Sequence, residues 1–155
     1  MRAALRAARI DTEVREFPES TRTAAEAAAA IGTTVGQIVK SLVFVGGAHP
    51  VLALVSGSNR LALPRLSALV GDKVGKADAG TVRRATGYAI GGVPPVGFPA
   101  PIPTYIDRDL LQYETVWAAA GTPHHVFPIT PADLVRVTNG TVADLKEPAA
   151  HLRSR

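Results

Sequence analysis

The chain has 155 residues, 46% hydrophobic and 19% charged, the balance of a globular fold and not of a disordered one. It has no cysteine, which excludes disulfides, thiolate metal sites and a cysteine nucleophile. Aromatics are 5%, so Val, Leu, Ile and Ala must build the core, and base stacking on exposed aromatics is not expected as the main binding mode.

The length fits one domain over residues 1–155. Met1 to Ile10 holds three arginines without the apolar segment of a signal peptide, and no stretch approaches the ~20 apolar residues of a membrane span. A soluble, cytoplasmic protein with no membrane partner is expected. The net charge of +4 is uneven. Residues 40–84 carry seven basic side chains (Lys40, Arg60, Arg65, Lys73, Lys76, Arg83, Arg84) against Asp72 and Asp78, a surplus of five. Such a block attracts a polyanion or merely solvates two short helices, and the sequence leaves both open.

Taken in order, Arg2 to Ile10 reads as a helix. Thr23-Ala-Ala-Glu26 has capping-box spacing, so a helix runs from Ala24 to Ile31 and stops at Gly32. Thr34 caps one further turn through Gln37. Ser41 to Val45 and Val51 to Ser56 read as two strands around a turn at Gly46 to Pro50; neither alternates, so burial on both faces is expected. Leu63 to Val70 is a helix with Pro64 near its start and Gly71 after its end. Lys73 to Lys76 is a short strand, and Asp78 caps a helix to Thr86 that Gly87 closes. Tyr88 to Ile90, Ile102 to Ile106, Thr115 to Ala120 and Val126 to Ile129 read as strands, with a helical turn over Asp107 to Leu111. Thr130-Pro-Ala-Asp133 starts a helix ending near Thr138. The last ten residues, 146–155, are expected to fray. Interleaved strands and helices without strict alternation predict a mixed-sheet α/β or α+β fold.

Lys40 stands between apolar neighbours in Gln37-Ile38-Val39-Lys40-Ser41-Leu42-Val43. Partly desolvated there, it suits a carboxylate, carbonyl or phosphate. A lysine whose stem covers the core edge gives the same pattern. Gly91-Gly92-Val93-Pro94-Pro95-Val96-Gly97 is a rigid loop that presents backbone amides to an oxyanion, or a plain turn into Pro99. His124 and His125 precede a strand and lack further ligands, so no metal is expected. Ser56-Gly57-Ser58 lacks the glycines of a nucleophile elbow; with Asn59 and Arg60 it suits a ligand-binding loop or a turn. Asp107 and Asp109 read as helix caps.

In this order the pieces resemble the YbaK/EbsC/ProX family, free-standing relatives of the editing domain inserted in bacterial prolyl-tRNA synthetases. The resemblance spans about residues 10–145 and rests on several segments. These are Thr23 to Ala28, Gly36 to Val43, Leu61 to Leu69, Gly87-Tyr88, Gly91 to Gly97, Ile106-Asp107, Trp117 to Gly121 and Phe127 to Leu134. It implies a mixed, partly barrel-like β-sheet core surrounded by helices. It implies hydrolysis of the ester between an amino acid and the terminal ribose of a mischarged tRNA, with Cys or Ala on proline tRNA the leading substrates. By the same resemblance Lys40 is needed for activity and holds the tRNA 3′ end. On physical grounds, backbone amides of Gly92 or its neighbours and the Lys40 ammonium are expected to stabilise the charge developing on the carbonyl oxygen. Gly91, Val93, Pro94, Pro95 and Gly97 border the aminoacyl pocket. Ser41, Ser56 and Arg60 contact substrate, and His124 gates side-chain size. No cofactor is implied. The expected partners are the tRNA acceptor end and a prolyl-tRNA synthetase, not DNA. A non-catalytic module binding aminoacyl-tRNA or a synthetase, and an unrelated small-molecule binder on the same scaffold, are the alternatives.

Overall fold

The computed structural model describes residues 2–7, 12–18 and 23–148. Helix α1 covers Arg2–Ala7; residues 8–10 of the helix expected there lie outside the described ones. Strand β1 (Arg15–Glu16) follows. Helix α2 (Ala24–Ile31) begins on the reciprocal cap read from the sequence. Thr23 Oγ1 accepts from Glu26 N at 3.1 Å, and Glu26 Oε1 accepts from Thr23 N at 3.2 Å. A 3-10 turn (Val35–Gln37) then delivers the chain into strand β2 (Val39–Gly46).

Strand β2 pairs antiparallel with β3 (His49–Ser56) along its whole length, with Lys40 opposite Val55 and Ser41 opposite Leu54. The turn between them is Gly47-Ala48, with φ of 57° and 72°. Two positive φ values make the tight hairpin that matches strand twist. The turn is therefore shorter than the Gly46 to Pro50 stretch expected, and His49 and Pro50 belong to β3.

Further along are α3 (Leu63–Val70), β4 (Val74–Lys76), α4 (Ala79–Thr86) and β5 (Thr104–Asp107). A 3-10 segment (Arg108–Gln112) leads to β6 (Val116–Ala119), β7 (His125–Ile129), α5 (Pro131–Thr138) and β8 (Thr141–Ala143). One sheet has the order β4-β2-β3-β5-β8, the other β1-β7-β6. Strands β3, β5 and β8 run parallel, while β4-β2-β3 is antiparallel. A bridge between Ile38 and Trp117 links the two sheets, so the mixed β core is partly barrel-like without closing.

Strand β3 explains why its sequence shows no alternation. Leu52 and Leu54 face a core shared with Val43, Ile106, Phe127 and Leu134. Ala53 and Val55 face a second one with Phe44, Leu66 and Leu145. A strand covered on both faces has no polar side. Strand β2 is buried only intermittently, since Lys40, Ser41, Leu42 and Val45 stay partly exposed.

Three expectations need correction. Tyr88 to Ile90 is not a strand. Tyr88 N is drawn back onto Thr86 Oγ1 (3.0 Å) and Gly92 N onto Ala89 O (3.0 Å), so the backbone donors serve turns. Strands β1 and β8 went unread, being two and three residues long and set by their partners. The start of the tail is tied down: Lys146 bridges to Leu61, and its ammonium meets Asp109 at 2.9 Å. Residues 149–155 lie outside the described ones. Among the described residues no helix is long and apolar enough to cross a membrane.

Candidate functional site

Lys40 is the second residue of β2. Its entry is fixed from behind: Gln37 Oε1 accepts from Thr34 Oγ1 (2.8 Å), and Gln37 Nε2 donates to Thr115 O (3.1 Å). On one edge β2 is fully paired with β3. On the other, β4 pairs only with Phe44 to Gly46, and Trp117 bridges only Ile38. Between those points the edge of β2 has no strand partner among the described residues.

A cavity of about 300 Å³ lies along that open edge. Lys40, Ser41, Gly91 and Val93 line it, together with Ala24, Ala27, Ile38 and Trp117. Opposed residues of a hairpin share a face, so Lys40 projects on the Val55 side of the sheet and Ser41 on the Leu54 side. Ser41 Oγ is buried without a hydrogen-bond partner among the described residues. Ser41 thus brings an unmet hydrogen-bonding group to a residue of the cavity wall.

Lys40 also lines a second cleft of about 470 Å³, together with the polar Arg60, Lys76, Ser58 and Asn59 and the apolar Leu42, Phe44 and Leu63. Three of the seven basic residues of the central block meet here. Arg65 pairs with Asp144 at 2.6 Å, whereas Lys40, Arg60 and Lys76 share one cleft. Burial holds the Lys40 ammonium below the usual lysine value of 10.5; Asp107 opposes that shift and Arg60 adds to it.

The Lys40 Nζ donates to the main-chain oxygen of Asn59. The loop carrying that oxygen, residues 56–60, is fastened from several sides. Ser56 Oγ donates to Gly36 O (2.7 Å) and Gly57 N to Ile38 O (2.8 Å). Asp107 Oδ2 accepts from Ser56 N (3.0 Å) and Asn59 Nδ2 (2.8 Å). Asn59 Nδ2 also reaches Asp109 Oδ2 (2.9 Å), which Lys146 holds from the far side. Hydrogen bonds from Asn59 and Lys146 keep the Asp109 carboxyl below its usual range.

The residues singled out in the sequence do not all converge. Lys40, Ser41, Gly91 and Val93 meet at the first cavity and Arg60 joins Lys40 in the second. Ser56 is fully buried and turned toward Gly36. Gly92 is buried, its N–H closes the turn to Ala89, and a Cβ there would stand 2.9 Å from Thr122 Cα. Only glycine lets the loop seat against that turn. Pro94 and Pro95 are buried, and Pro95 and Gly97 border a separate hollow with Phe98 and Val137. His124 is exposed and borders another hollow with Glu16, Phe17 and Pro18, away from Lys40. Its neighbour His125 faces Glu16 at 3.4 Å. Among the described residues no three His, Asp or Glu gather as metal ligands.

The lining from α2 and Trp117 was not read from sequence as part of the site, nor was the Asp107–Asn59 link. Trp117, the chain's single tryptophan, lies under the Arg15 guanidinium at 4.8 Å. A lone large aromatic beside small alanines was the available signal. Asp107 does cap the 3-10 segment, as expected, by accepting from Asp109 N at 3.0 Å; its other two partners come from a loop far away in sequence.

Comparison with known proteins agrees with this architecture. The family model for the aminoacyl-tRNA editing domain matches residues 18–137. EbsC of Enterococcus faecalis, a proposed Cys-tRNA(Pro)/Cys-tRNA(Cys) deacylase, is 31% identical over 131 residues, covering 83% of this chain and 80% of that protein. YwhH of Bacillus subtilis, uncharacterised, is 31% identical over 125 residues, or 80% of each. A solved structure described as a proposed trans-editing enzyme for prolyl tRNA synthetase is 53% identical, superposes with a TM-score of 0.91, and matches 95% of this chain and 94% of its own. With a fold, a Lys40 cavity and a family match that coincide over most of its length, this chain belongs to the aminoacyl-tRNA editing domain family.

Proposed function

We propose that the protein is a trans-editing hydrolase whose single deacylase domain, residues 1–155, removes a small amino acid from mischarged tRNA, with Cys or Ala on proline tRNA as the first candidates. The observation that carries this reading is the position of Lys40, which borders an apolar cavity and a basic cleft at once. The 3′ end of an aminoacyl-tRNA has the same two parts, a small side chain and a run of phosphates. The names of EbsC and of the solved relative support the choice of tRNA.

In the step proposed, water adds to the ester carbonyl and the bond from the carbonyl carbon to the ribose oxygen breaks. The proton lost by water passes to the departing ribose oxygen, with the neighbouring 2′-hydroxyl as its carrier. The products are a free amino acid and a tRNA with a free terminal hydroxyl. An activated ester needs positioning and charge stabilisation rather than a strong nucleophile. The Lys40 ammonium takes the charge that develops on the carbonyl oxygen. The orphaned Ser41 hydroxyl binds a polar atom of the aminoacyl group. Gly91 and Val93 wall the cavity, and Gly92 seats their loop on the Gly121-Thr122 turn. Arg60 and Lys76 take phosphates of the acceptor end. A prolyl-tRNA synthetase, as the source of the mischarged species, is the companion in this scheme.

The test is a panel of esters: Ala, Cys and Ser on proline tRNA, and Ser on alanine and threonine tRNA, each incubated with purified protein. Enzyme-dependent loss of one or more esters is expected and names the substrate. Full retention of every ester with tRNA bound would replace the hydrolase by a non-catalytic binding module. Retention without binding would overturn the tRNA reading altogether.

A further inference from the structure

The buried carboxylate beneath loop 56–60 has no part in the chemistry above. Asp107 ends β5 and is 1% exposed. It accepts from Ser56 N (3.0 Å), Asn59 Nδ2 (2.8 Å) and Asp109 N (3.0 Å). Capping the 3-10 segment needs only the last of these. The other two come from opposite ends of the loop whose Asn59 carbonyl receives the Lys40 ammonium. A buried carboxylate is costly unless its partners satisfy it, and here they are the loop that meets Lys40.

We propose that Asp107, acting through Asn59, is the positioning residue of the editing site: it fixes the Asn59 carbonyl, and the carbonyl fixes the Lys40 ammonium at the boundary between cavity and cleft. The proposal rests on the reading of Lys40 as the working residue of a deacylase. A lysine has a flexible four-carbon stem and no intrinsic direction, so one well-anchored acceptor decides where its charge sits. The anchoring is double, because Asn59 Nδ2 spans Asp107 and Asp109. Asp107 also acts through its charge. It favours the Lys40 proton against burial and against Arg60. The other charged groups nearby are Lys76 of β4, which lines the same cleft, and the Asp109–Lys146 pair (2.9 Å), whose Asp109 Oδ2 also accepts from Asn59 Nδ2.

The experiment follows Lys40 Cε by NMR in protein labelled with carbon-13 lysine, the resonance being assigned by its loss in Lys40→Ala. Wild type, Asp107→Asn and Asn59→Ala are titrated, and kcat and KM are measured on a mischarged tRNA that the wild type hydrolyses. In Asp107→Asn, Lys40 is expected to lose its proton at lower pH than in wild type. Its kcat should fall on the order of tenfold to a hundredfold, the effect of a misplaced catalytic group, while KM stays within about twofold because binding is not the step affected. Asn59→Ala should move both readouts in the same direction. A folded Asp107→Asn protein whose Lys40 titrates as in wild type overturns the proposal, as does a fall in kcat with no change in that titration. If Asp107→Asn does not fold, Asn59→Ala, which leaves Asp107 two of its donors, decides by the same criteria. If the titrations move as expected but wild type cleaves no ester, the positioning stands and the deacylase reading falls.

Discussion

At the scale of single residues, Lys40 combines a half-buried charge with a fixed acceptor. Burial, the largest influence on it, lowers its pKa, so a reaction that uses the ammonium has an alkaline limit below the ordinary lysine range. Enzyme-dependent deacylation, corrected for spontaneous ester hydrolysis, is expected to fall as pH rises through that depressed value. The sign for stability is opposite. Between the depressed value and 10.5 the unfolded chain binds this proton more tightly than the folded one, so this group makes stability rise with pH there. Urea unfolding at stepped alkaline pH should show a smaller rise in Lys40→Ala than in wild type; equal slopes would mean that Lys40 is not desolvated. Lys40 was visible in sequence because charge between apolar neighbours is a local signal. Asp107 was only half visible. Its cap on Asp109 is local, but its bond to Ser56 N joins residues 51 apart, and no spacing rule reaches that far.

At the scale of elements, close backbone approach holds the site together. A Cβ on Gly57 would stand 2.4 Å from Val35 O and 2.9 Å from the Ala24 side chain. Gly57→Val would therefore push loop 56–60 away from the turn that feeds β2. The expected cost is about 1–3 kcal/mol by the measure of overpacked sites, read as a lower urea midpoint, together with loss of deacylation because Asn59 moves with the loop. An unchanged midpoint would show that the loop shifts freely. Helices were the most legible elements, since α2, α3, α4 and α5 each carry their start and stop signals within the segment. Short strands were not. Strand β8 exists because β5 offers it a parallel edge, and Tyr88 to Ile90 fails to be a strand because Thr86 and Ala89 take its donors and those of the turn. Both outcomes depend on partners that a hydrophobic pattern does not name.

At the scale of the molecule, three of the seven basic residues of the central block gather in one cleft. Arg65 is neutralised by Asp144, while Arg60 and Lys76 stand beside Lys40 on one side of β2. If these cations meet phosphates, the logarithm of tRNA affinity should fall linearly with the logarithm of salt concentration, and each of Arg60→Ala and Lys76→Ala should lessen that slope by about 1. Arg83→Ala, at an exposed residue of α4 that does not line that cleft, serves as the comparison, and an equal loss of slope there would assign binding to diffuse charge instead. The fold class was legible from interleaved strands and helices; the convergence of α2, Trp117 and loop 91–97 on one cavity was not, because it depends on the Ile38–Trp117 bridge between the two sheets.

The most direct measurement is single-turnover deacylation of mischarged proline tRNA by excess wild-type protein and by Lys40→Ala, with tRNA binding measured on both. Hydrolysis by wild type, and a loss of on the order of a hundredfold or more in the variant with binding largely kept, is the expected result for a residue that stabilises transition-state charge. Hydrolysis by Lys40→Ala at the wild-type rate would contradict the account.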